Sequence, residues 1–320
     1  MNNKEKIFLI VNLSFFGDIL LTNALCQNIK KYFPNSKIVF LVDKKFEEAA
    51  KYQKDVDFVI SIDKRRKHRS LLGLFRFVFN SPYKNKIDTA FVIYGNDRGI
   101  ILSKLLGAKN IVSGPNWYIQ FLINKKQYDD ENYTHMQDLN GNFISQLTGK
   151  NGEILPIKYE PVDDGSDILK EIKLICENND VVCLCTTSKN KAKDMPVETA
   201  VELVKILNKN GKKVLFVGAG EVALDYSRKM KELGCVDYID FVNKTSINQL
   251  GYLLKNSKSL ISVDTGTLHL GCAVGVPSVA IFYLTDMISK WAPIKSLYNC
   301  EIVDRDYSAD FIFNTLKQLN

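Results

Sequence analysis

The chain has 320 residues, 46% of them hydrophobic and 25% charged, and 43 Lys and Arg against 36 Asp and Glu leave a net charge of +7. That composition excludes a disordered or fibrous protein, and no stretch approaches the ~20 apolar residues that a membrane-spanning helix needs. The length suggests two domains, and the mild positive charge favours anionic partners such as phosphates, nucleic acid or an acidic membrane surface without naming one.

The charged start, Met1 to Lys6, leads into a short apolar run over residues 7–13, which reads as a strand and not as a signal peptide. Ser14-Phe15-Phe16-Gly17-Asp18 makes a turn, and Leu20, Leu21, Ala24, Leu25 and Ile29 have helical spacing across residues 19–32. Pro34-Asn35 ends that helix and residues 38–42 form the next buried strand, which gives a βαβ unit. The alternation continues with a helix over 46–54, strands at 58–60 and 90–93, and a helix over 98–106 that stops at Gly107.

From about 115 to 165 the periodicity fades into aromatic and polar residues (Trp117, Tyr118, Tyr128, Asp129, Asp130, Tyr133), which predicts an interdomain region. A second series follows: strands at 181–185, 214–217, 260–263 and 279–282, and helices over 197–207, 222–233, 247–254 and 268–274. The fold class expected is α/β, two Rossmann-like doubly wound domains facing a cleft, divided as 1–160 and 161–320. The amphipathic segment 309–319, with Phe311, Ile312, Leu316 and Leu319 on one face, is expected to pack back across the lobes. Seven scattered cysteines predict a reduced, cytoplasmic protein. Cys183 and Cys185 share a strand face, but no second Cys or His pair accompanies them, so no metal site is expected.

The most informative stretch is residues 260–277. A strand runs into Asp264-Thr265-Gly266, and the next helix opens with exposed N–H groups and a positive dipole end, a place for a diphosphate. Gly266 permits close approach, Thr265 and Thr267 offer hydroxyls, and Gly271, Cys272 and Ala273 keep the helix thin; the alternative is that Thr265 or Thr267 simply caps it. His269, one turn in, bonds a ligand or is a packed histidine. Thr186, Thr187, Ser188, Lys191 and Lys193 follow the strand at 181–185, where hydroxyls and ammonium groups suit phosphate. Gly218-Ala219-Gly220-Glu221-Val222-Ala223 spells a dinucleotide-binding fingerprint with Asp237 and Asp240 about twenty residues on, which motivates a rival nicotinamide-dependent oxidoreductase.

Residues 260–282, together with the opening 7–34 carrying Gly17-Asp18 and Pro34, resemble glycosyltransferase family 9, the lipopolysaccharide heptosyltransferase-like enzymes. The resemblance implies a GT-B fold and an inverting, metal-independent transfer with no cofactor, of a sugar (heptose from ADP-heptose) onto a lipopolysaccharide core or related glycan. It further implies that Asp18 is the catalytic base, that Thr186, Thr187, Ser188, Lys193, Glu221, Asp264, Thr265, Gly266, Thr267 and His269 hold the donor, and that Gly17 relieves crowding at the acceptor. The alternative for Asp18 is a cap on the helix starting at Ile19. Two departures stand near the donor: Met195-Pro196 where the family carries Trp-Pro, and Phe282-Tyr283 where it carries Phe-Gly. They keep open a different nucleotide sugar, or a lobe pair that binds sugar nucleotides without turnover.

Two Asp-x-Asp motifs, Asp55-Val56-Asp57 and Asp304-Arg305-Asp306, read as surface turns and not as metal sites. Lys64-Arg65-Arg66-Lys67-His68-Arg69 places five formal charges before the apolar run 71–79, a pattern suited to an anionic glycolipid acceptor at the inner face of the cytoplasmic membrane, with a solvated loop and a buried helix as the alternative. Nothing in the chain spells a nucleic-acid-binding motif.

Overall fold

The computed structural model describes residues 5–126 and 135–319, so Tyr128, Asp129, Asp130 and Tyr133 lie outside the described residues. The chain divides into two compact units, Met1–Ile157 and Lys158–Asn320.

The first unit is built on six parallel strands, β1 (Ile7–Asn12), β2 (Lys37–Asp43), β3 (Phe58–Ile62), β4 (Thr89–Val92), β5 (Asn110–Ser113) and β6 (Lys125–Lys126), in the order β3-β2-β1-β4-β5-β6. The runs IFLIVN and KIVFLVD are apolar without alternation because helices cover both faces of these central strands. The Asn23–Tyr32 helix buries Ala24, Leu25 and Ile29, and the Asp97–Leu105 helix buries Ile100 and Leu102.

The segment expected to link the domains belongs in large part to this unit. A helix over Met136–Asn142 lies on the Asn23–Tyr32 helix. The strand-like tail behind it is held by polar side chains: Asn28 donates to the Glu153 carbonyl (3.0 Å) and accepts from the Glu153 N–H (2.8 Å), while Gln27 and Gln137 donate to the carbonyls of Pro156 and Leu155. Buried Met136, Leu139, Phe143 and Ile144 are interleaved with these amide side chains, so the apolar periodicity is weak where the structure is firm.

The second unit repeats the plan with β7 (Asp180–Cys185), β8 (Lys212–Phe216), β9 (Ile239–Asp240), β10 (Ser259–Val263), β11 (Ser278–Ile281) and β12 (Cys300–Val303), all parallel, in the order β12-β11-β10-β7-β8-β9. A Cβ on Gly271 would come within 2.5 Å of Leu260 Cδ2, so the Gly266–Val274 helix lies against the sheet as closely as its small residues allow. The terminal Ala309–Lys317 helix places Ala309, Ile312, Phe313 and Leu316 in the core of this unit, on the Val197–Lys209 helix. The apolar face expected to reach across the lobes is therefore spent at home. The Asp167–Asn178 helix and strands β5, β6, β9 and β12 are absent from the sequence expectation; that helix buries only Leu169 and Ile172, too few to announce a stripe.

Candidate functional site

Numbered within each unit, both sheets have the strand order 3-2-1-4-5-6, and the direction of winding reverses between the first and fourth strands. At such a switch point neighbouring loops diverge and leave a crevice at the carboxyl ends of the strands. In the first unit the switch lies between β1 and β4, and in the second between β7 and β10.

Asp18 follows β1. The helix begins at Phe16, three residues earlier than expected, so Asp18 is its third residue, and its carboxylate bonds back to the N–H of the N-cap residue Phe15 as in a capping box. Buried Asn12 braces the turn, donating to the Asp18 carbonyl (3.1 Å) and to Thr22 Oγ1 (2.9 Å). The half-exposed Asp18 carboxylate accepts from the Phe15 N–H through Oδ2 (3.2 Å) and from the Tyr94 hydroxyl through Oδ1 (3.0 Å). Tyr94 follows β4 and comes from 76 residues away. Its backbone is left-handed (φ 63°, ψ 7°), which costs a non-glycine residue about 1–3 kcal/mol. The next residue, Gly95, also has positive φ, and a Cβ there would meet the Pro115 carbonyl at 2.3 Å. Close packing of these two turns thus sets the chain path that delivers the Tyr94 hydroxyl. Sequence reading missed Tyr94, whose only signal is a Tyr-Gly pair at a strand end.

Across the second switch point, Lys193 reaches Asp264. Lys193 closes a short 3-10 turn, Lys191–Lys193, that follows β7, and its ammonium lies 2.5 Å from Asp264 Oδ2 at the end of β10. Asp264 is 7% exposed and the lysine side chain 21%. Thr265 is the N-cap residue, yet its side chain makes no capping bond, so the capping alternative does not account for its hydroxyl. Gly266 and Thr267 open the nine-residue Gly266–Val274 helix, whose N-terminus therefore stands beside the Lys193–Asp264 pair. Thr186 and Thr187 are buried under this edge, and the Thr186 hydroxyl lies against Tyr226.

Similarity to known proteins now decides between the classes the glycine-rich turn left open. The model of glycosyltransferase family 9 (heptosyltransferase) matches residues 109–317. The chain belongs to that family. It is 23% identical over 295 residues to lipopolysaccharide heptosyltransferase 1 of Campylobacter coli, covering 86% of this chain and 83% of the relative, and 22% identical over 301 residues to lipopolysaccharide heptosyltransferase 3 of Escherichia coli, covering 88% and 84%. Among solved structures it superposes on a family 9 glycosyltransferase from Veillonella parvula (TM-score 0.88, 20% identity, 100% and 98% coverage) and on the E. coli heptosyltransferase WaaC with ADP (TM-score 0.77, 18% identity, 98% and 100% coverage). The protein is thus a glycosyltransferase of GT-B fold class, and the oxidoreductase reading falls.

In this transferase the Gly218–Gly220 turn has its own construction. Gly220 has φ 88° and donates its N–H to Asn243 Oδ1 (2.7 Å), and Asn243 returns its N–H to the Gly218 carbonyl (3.0 Å). Glu221 then opens the Glu221–Glu232 helix with its side chain exposed. Asn243, another residue missed from sequence, folds the turn. Asp240 is not free for a ribose: it accepts from Ser227 Oγ (2.5 Å), the Val242 N–H (3.0 Å) and the Lys231 ammonium (3.1 Å), and these bonds outweigh burial and lower its pKa.

Three expected donor contacts are differently employed. The Ser188 hydroxyl donates to the Asn190 carbonyl (2.8 Å) and accepts from the Asn190 N–H (3.1 Å), so it shapes the loop. Thr267 is buried, with its hydroxyl against the Cys185 thiol. His269 is 6% exposed, its ring 6.5 Å from that of Trp291, which favours the packed histidine. Both departures from the family pattern are absorbed in one apolar cluster, where Met195 is buried and the Tyr283 ring lies tilted against Tyr307, centroids 4.4 Å apart. A cavity of about 580 Å³ lies between the loop at 188–197 and the Glu221–Glu232 helix, with Met195, Glu221 and Tyr226 in its wall.

The basic block is a built turn. Asp63 Oδ1 accepts from the N–H groups of Arg65 (3.1 Å) and Arg66 (3.0 Å), and His68 Nδ1 accepts from the Asp63 N–H (2.9 Å). Lys64 is not an available charge, because its ammonium pairs with Asp43 (3.0 Å) and donates to the Leu13 carbonyl (2.6 Å). Arg65, Arg66, Lys67 and Arg69 are exposed. Of the Asp-x-Asp motifs, Asp57 ties the Asn23–Tyr32 helix to β2 through Lys30 (2.7 Å), Lys37 (3.4 Å) and the Ile38 N–H (2.8 Å), whereas Asp306 accepts from the Ser308 N–H in a turn. Cys183 and Cys185 are buried, which pushes the Cys183 thiol up to about 12 and raises the Cys185 thiol as well.

Proposed function

We propose that this transferase moves heptose from ADP-heptose onto the core of a lipopolysaccharide or a related cell-surface glycan, with inversion and without a metal. The observation that carries the donor half is the Lys193–Asp264 pair beside the N-terminus of the Gly266–Val274 helix. An ammonium and a helix N-terminus together supply the positive charge that a diphosphate leaving group needs, the role a divalent ion plays elsewhere. Lys193 would exchange part of its contact with Asp264 for phosphate oxygens, Thr265 and Gly266 would meet the diphosphate, and exposed Glu221 would accept ribose hydroxyls. Thr186, Thr187, Ser188, Thr267 and His269 would complete the donor site around them.

Asp18 is the base. Its carboxylate takes the proton of the acceptor hydroxyl as the new C–O bond forms at the anomeric carbon; the bond from that carbon to phosphate breaks, and the nucleoside diphosphate departs with the electron pair from the opposite face. Tyr94 holds one carboxylate oxygen, which orients the other. Gly17 leaves room beside the base, and Arg65, Arg66, Lys67 and Arg69 meet anionic groups of the acceptor. The ADP-heptose assignment is supported by the heptosyltransferase relatives and by the likeness to WaaC solved with ADP and with ADP-2-deoxy-2-fluoro heptose. The chemistry belongs to the cytoplasmic face of the membrane, where nucleotide sugars are available; among the described residues no helix is long and apolar enough to cross a bilayer.

The test is calorimetric titration with ADP, UDP, GDP, CMP and NAD in the presence of a chelator. Selective ADP binding is expected. Selectivity for UDP, GDP or CMP would keep the transferase and overturn the heptose donor, and a requirement for divalent metal would overturn the electrostatic role given to Lys193. Transfer from ADP-heptose, with the product anomer read by NMR, then checks inversion.

A further inference from the structure

We propose that the first unit docks on an anionic lipid bilayer through two apolar prongs, the Leu72, Phe75 and Phe79 face of the Leu71–Phe79 helix and the Trp117, Tyr118 and Phe121 loop. These six side chains are between 54% and 86% exposed. The helix is amphipathic in an unusual sense: Leu74 and Val78 enter the core, while positions 72, 75 and 79, spaced i, i+3 and i+7, carry a second apolar stripe toward solvent. The loop follows β5 and is pinned, not frayed. Asn116 is buried and donates to the Gly95 carbonyl (2.7 Å) and to Asp97 Oδ1 (2.6 Å), while its own Oδ1 accepts from the N–H groups of Tyr118 (3.0 Å) and Ile119 (2.9 Å). Both prongs flank the Asp97–Leu105 helix, which places them on one side of the sheet.

Charge selects the occupant. The exposed Arg65, Arg66, Lys67 and Arg69 stand immediately before the helix, and the basic turn is locked to it: a Cβ on Gly73 would come within 2.2 Å of the Lys67 carbonyl oxygen. Arg76 lies exposed within the apolar stripe, and the Lys84 ammonium sits 5.0 Å from the Phe79 ring centroid. A second copy of the chain meeting this face would bring the same positive charges against themselves, since a two-fold interface is self-facing. A bilayer with anionic headgroups answers both features, with phosphates for the arginines and lysines and the acyl boundary for Leu and Phe, and Trp and Tyr favour that interfacial depth. This inference rests on the reading that puts the acceptor at a membrane, where Arg65, Arg66, Lys67 and Arg69 also meet it, and is independent of the donor; vesicles without any glycolipid acceptor test it apart from transfer.

The experiment uses the full chain. Trp117 and Trp291 are its two tryptophans, so Trp291→Phe makes Trp117 the sole reporter. With vesicles of phosphatidylcholine and phosphatidylglycerol in equal parts, Trp117 emission is expected to shift to the blue and to be quenched by brominated acyl chains, with little change on pure phosphatidylcholine. In co-sedimentation of the otherwise unaltered chain, Arg65→Ala with Arg66→Ala should weaken binding by about 25-fold, from roughly 1 kcal/mol per charge near an anionic surface. Phe75→Ser with Phe79→Ser, at exposed positions, should weaken it at least tenfold while leaving the melting temperature in place. Absence of binding to anionic vesicles, or binding without a change at Trp117, overturns the proposal. So does lipid-independent self-association that the Phe75→Ser, Phe79→Ser variant abolishes, which would assign the face to a second copy.

Discussion

The two units share a strand order and place one cross-loop pair at the same point of it, yet the pairs differ in kind. In the first unit a tyrosine hydroxyl holds a half-exposed carboxylate; in the second an ammonium is paired with a carboxylate almost out of solvent. A base must stay reachable by an incoming hydroxyl and keep its charge, and neutral donors such as the Tyr94 hydroxyl and the Phe15 N–H orient it without neutralising it. A phosphate site must keep a cation in place before the ligand arrives, and a buried counter-charge does that at a desolvation cost. The shared architecture supplies the location, and the side chains decide the chemistry.

The comparison breaks first at Asp18. Asp18→Asn keeps the shape and removes the basicity, so turnover should fall by about 10²–10⁴-fold while nucleotide affinity by calorimetry stays near that of the unaltered enzyme. Persistent transfer would remove the base from the first unit. In the second unit, Lys193→Ala should weaken nucleotide binding at least tenfold and lower stability by about 1–3 kcal/mol, since Asp264 is left without its partner in a site that is largely closed to water. Adding Asp264→Asn should restore the stability but not the affinity, as a denaturation curve and a titration on the same preparations would show; recovery of both would make the lysine merely structural.

Acid separates the units more gently. Burial raises the Asp57 and Asp88 carboxyls, but bonds to Lys30 and Ile38 in one case and to Lys109 and Ile7 in the other outweigh it, and both end below the ordinary carboxylate value. Their stabilisation of the first unit is complete above the unfolded carboxylate pKa near 4 and is lost as pH falls through the depressed folded values. In the second unit Asp240 is depressed in the same way, whereas burial raises Asp194, so the two pull in opposite directions. Asp57→Asn should cost on the order of 1–2 kcal/mol at neutral pH and flatten the acid limb of the melting temperature. An acid limb of unchanged steepness would place the loss elsewhere.

The smallest effect is expected at Tyr94. Tyr94→Phe removes a donor that orients the Asp18 carboxylate, so kcat should fall by about threefold to tenfold, the worth of one neutral hydrogen bond, with nucleotide affinity constant. An unchanged kcat would mean that the carboxylate is held in place without Tyr94.

Much of the candidate site was legible because its markers are local. Asp18 follows an apolar run, Asp264-Thr265-Gly266 follows another, and Lys193 lies in a short loop after a third. Residues whose role depends on a distant partner were not legible. Tyr94 is unremarkable until β4 lies beside β1, and Asn243 until its side chain closes the Gly218–Gly220 turn. Other residues looked available and were not: Lys64 is spent on Asp43 and Leu13, and the Ser188 hydroxyl on its own loop. Composition counts charges and hydroxyls, but only packing shows which are already engaged.

The sequence by itself determined the alternation of strands and helices, the anion-ready helix start at Gly266 and the family pattern, because backbone propensity, apolar periodicity and glycine placement act over a few residues. Tertiary structure alone decided the order of the strands, and with it the two switch points that bring Tyr94 to Asp18 and Lys193 to Asp264. Strand order depends on which buried faces best cover one another across the whole unit, a non-local balance that no short stretch of this chain encodes.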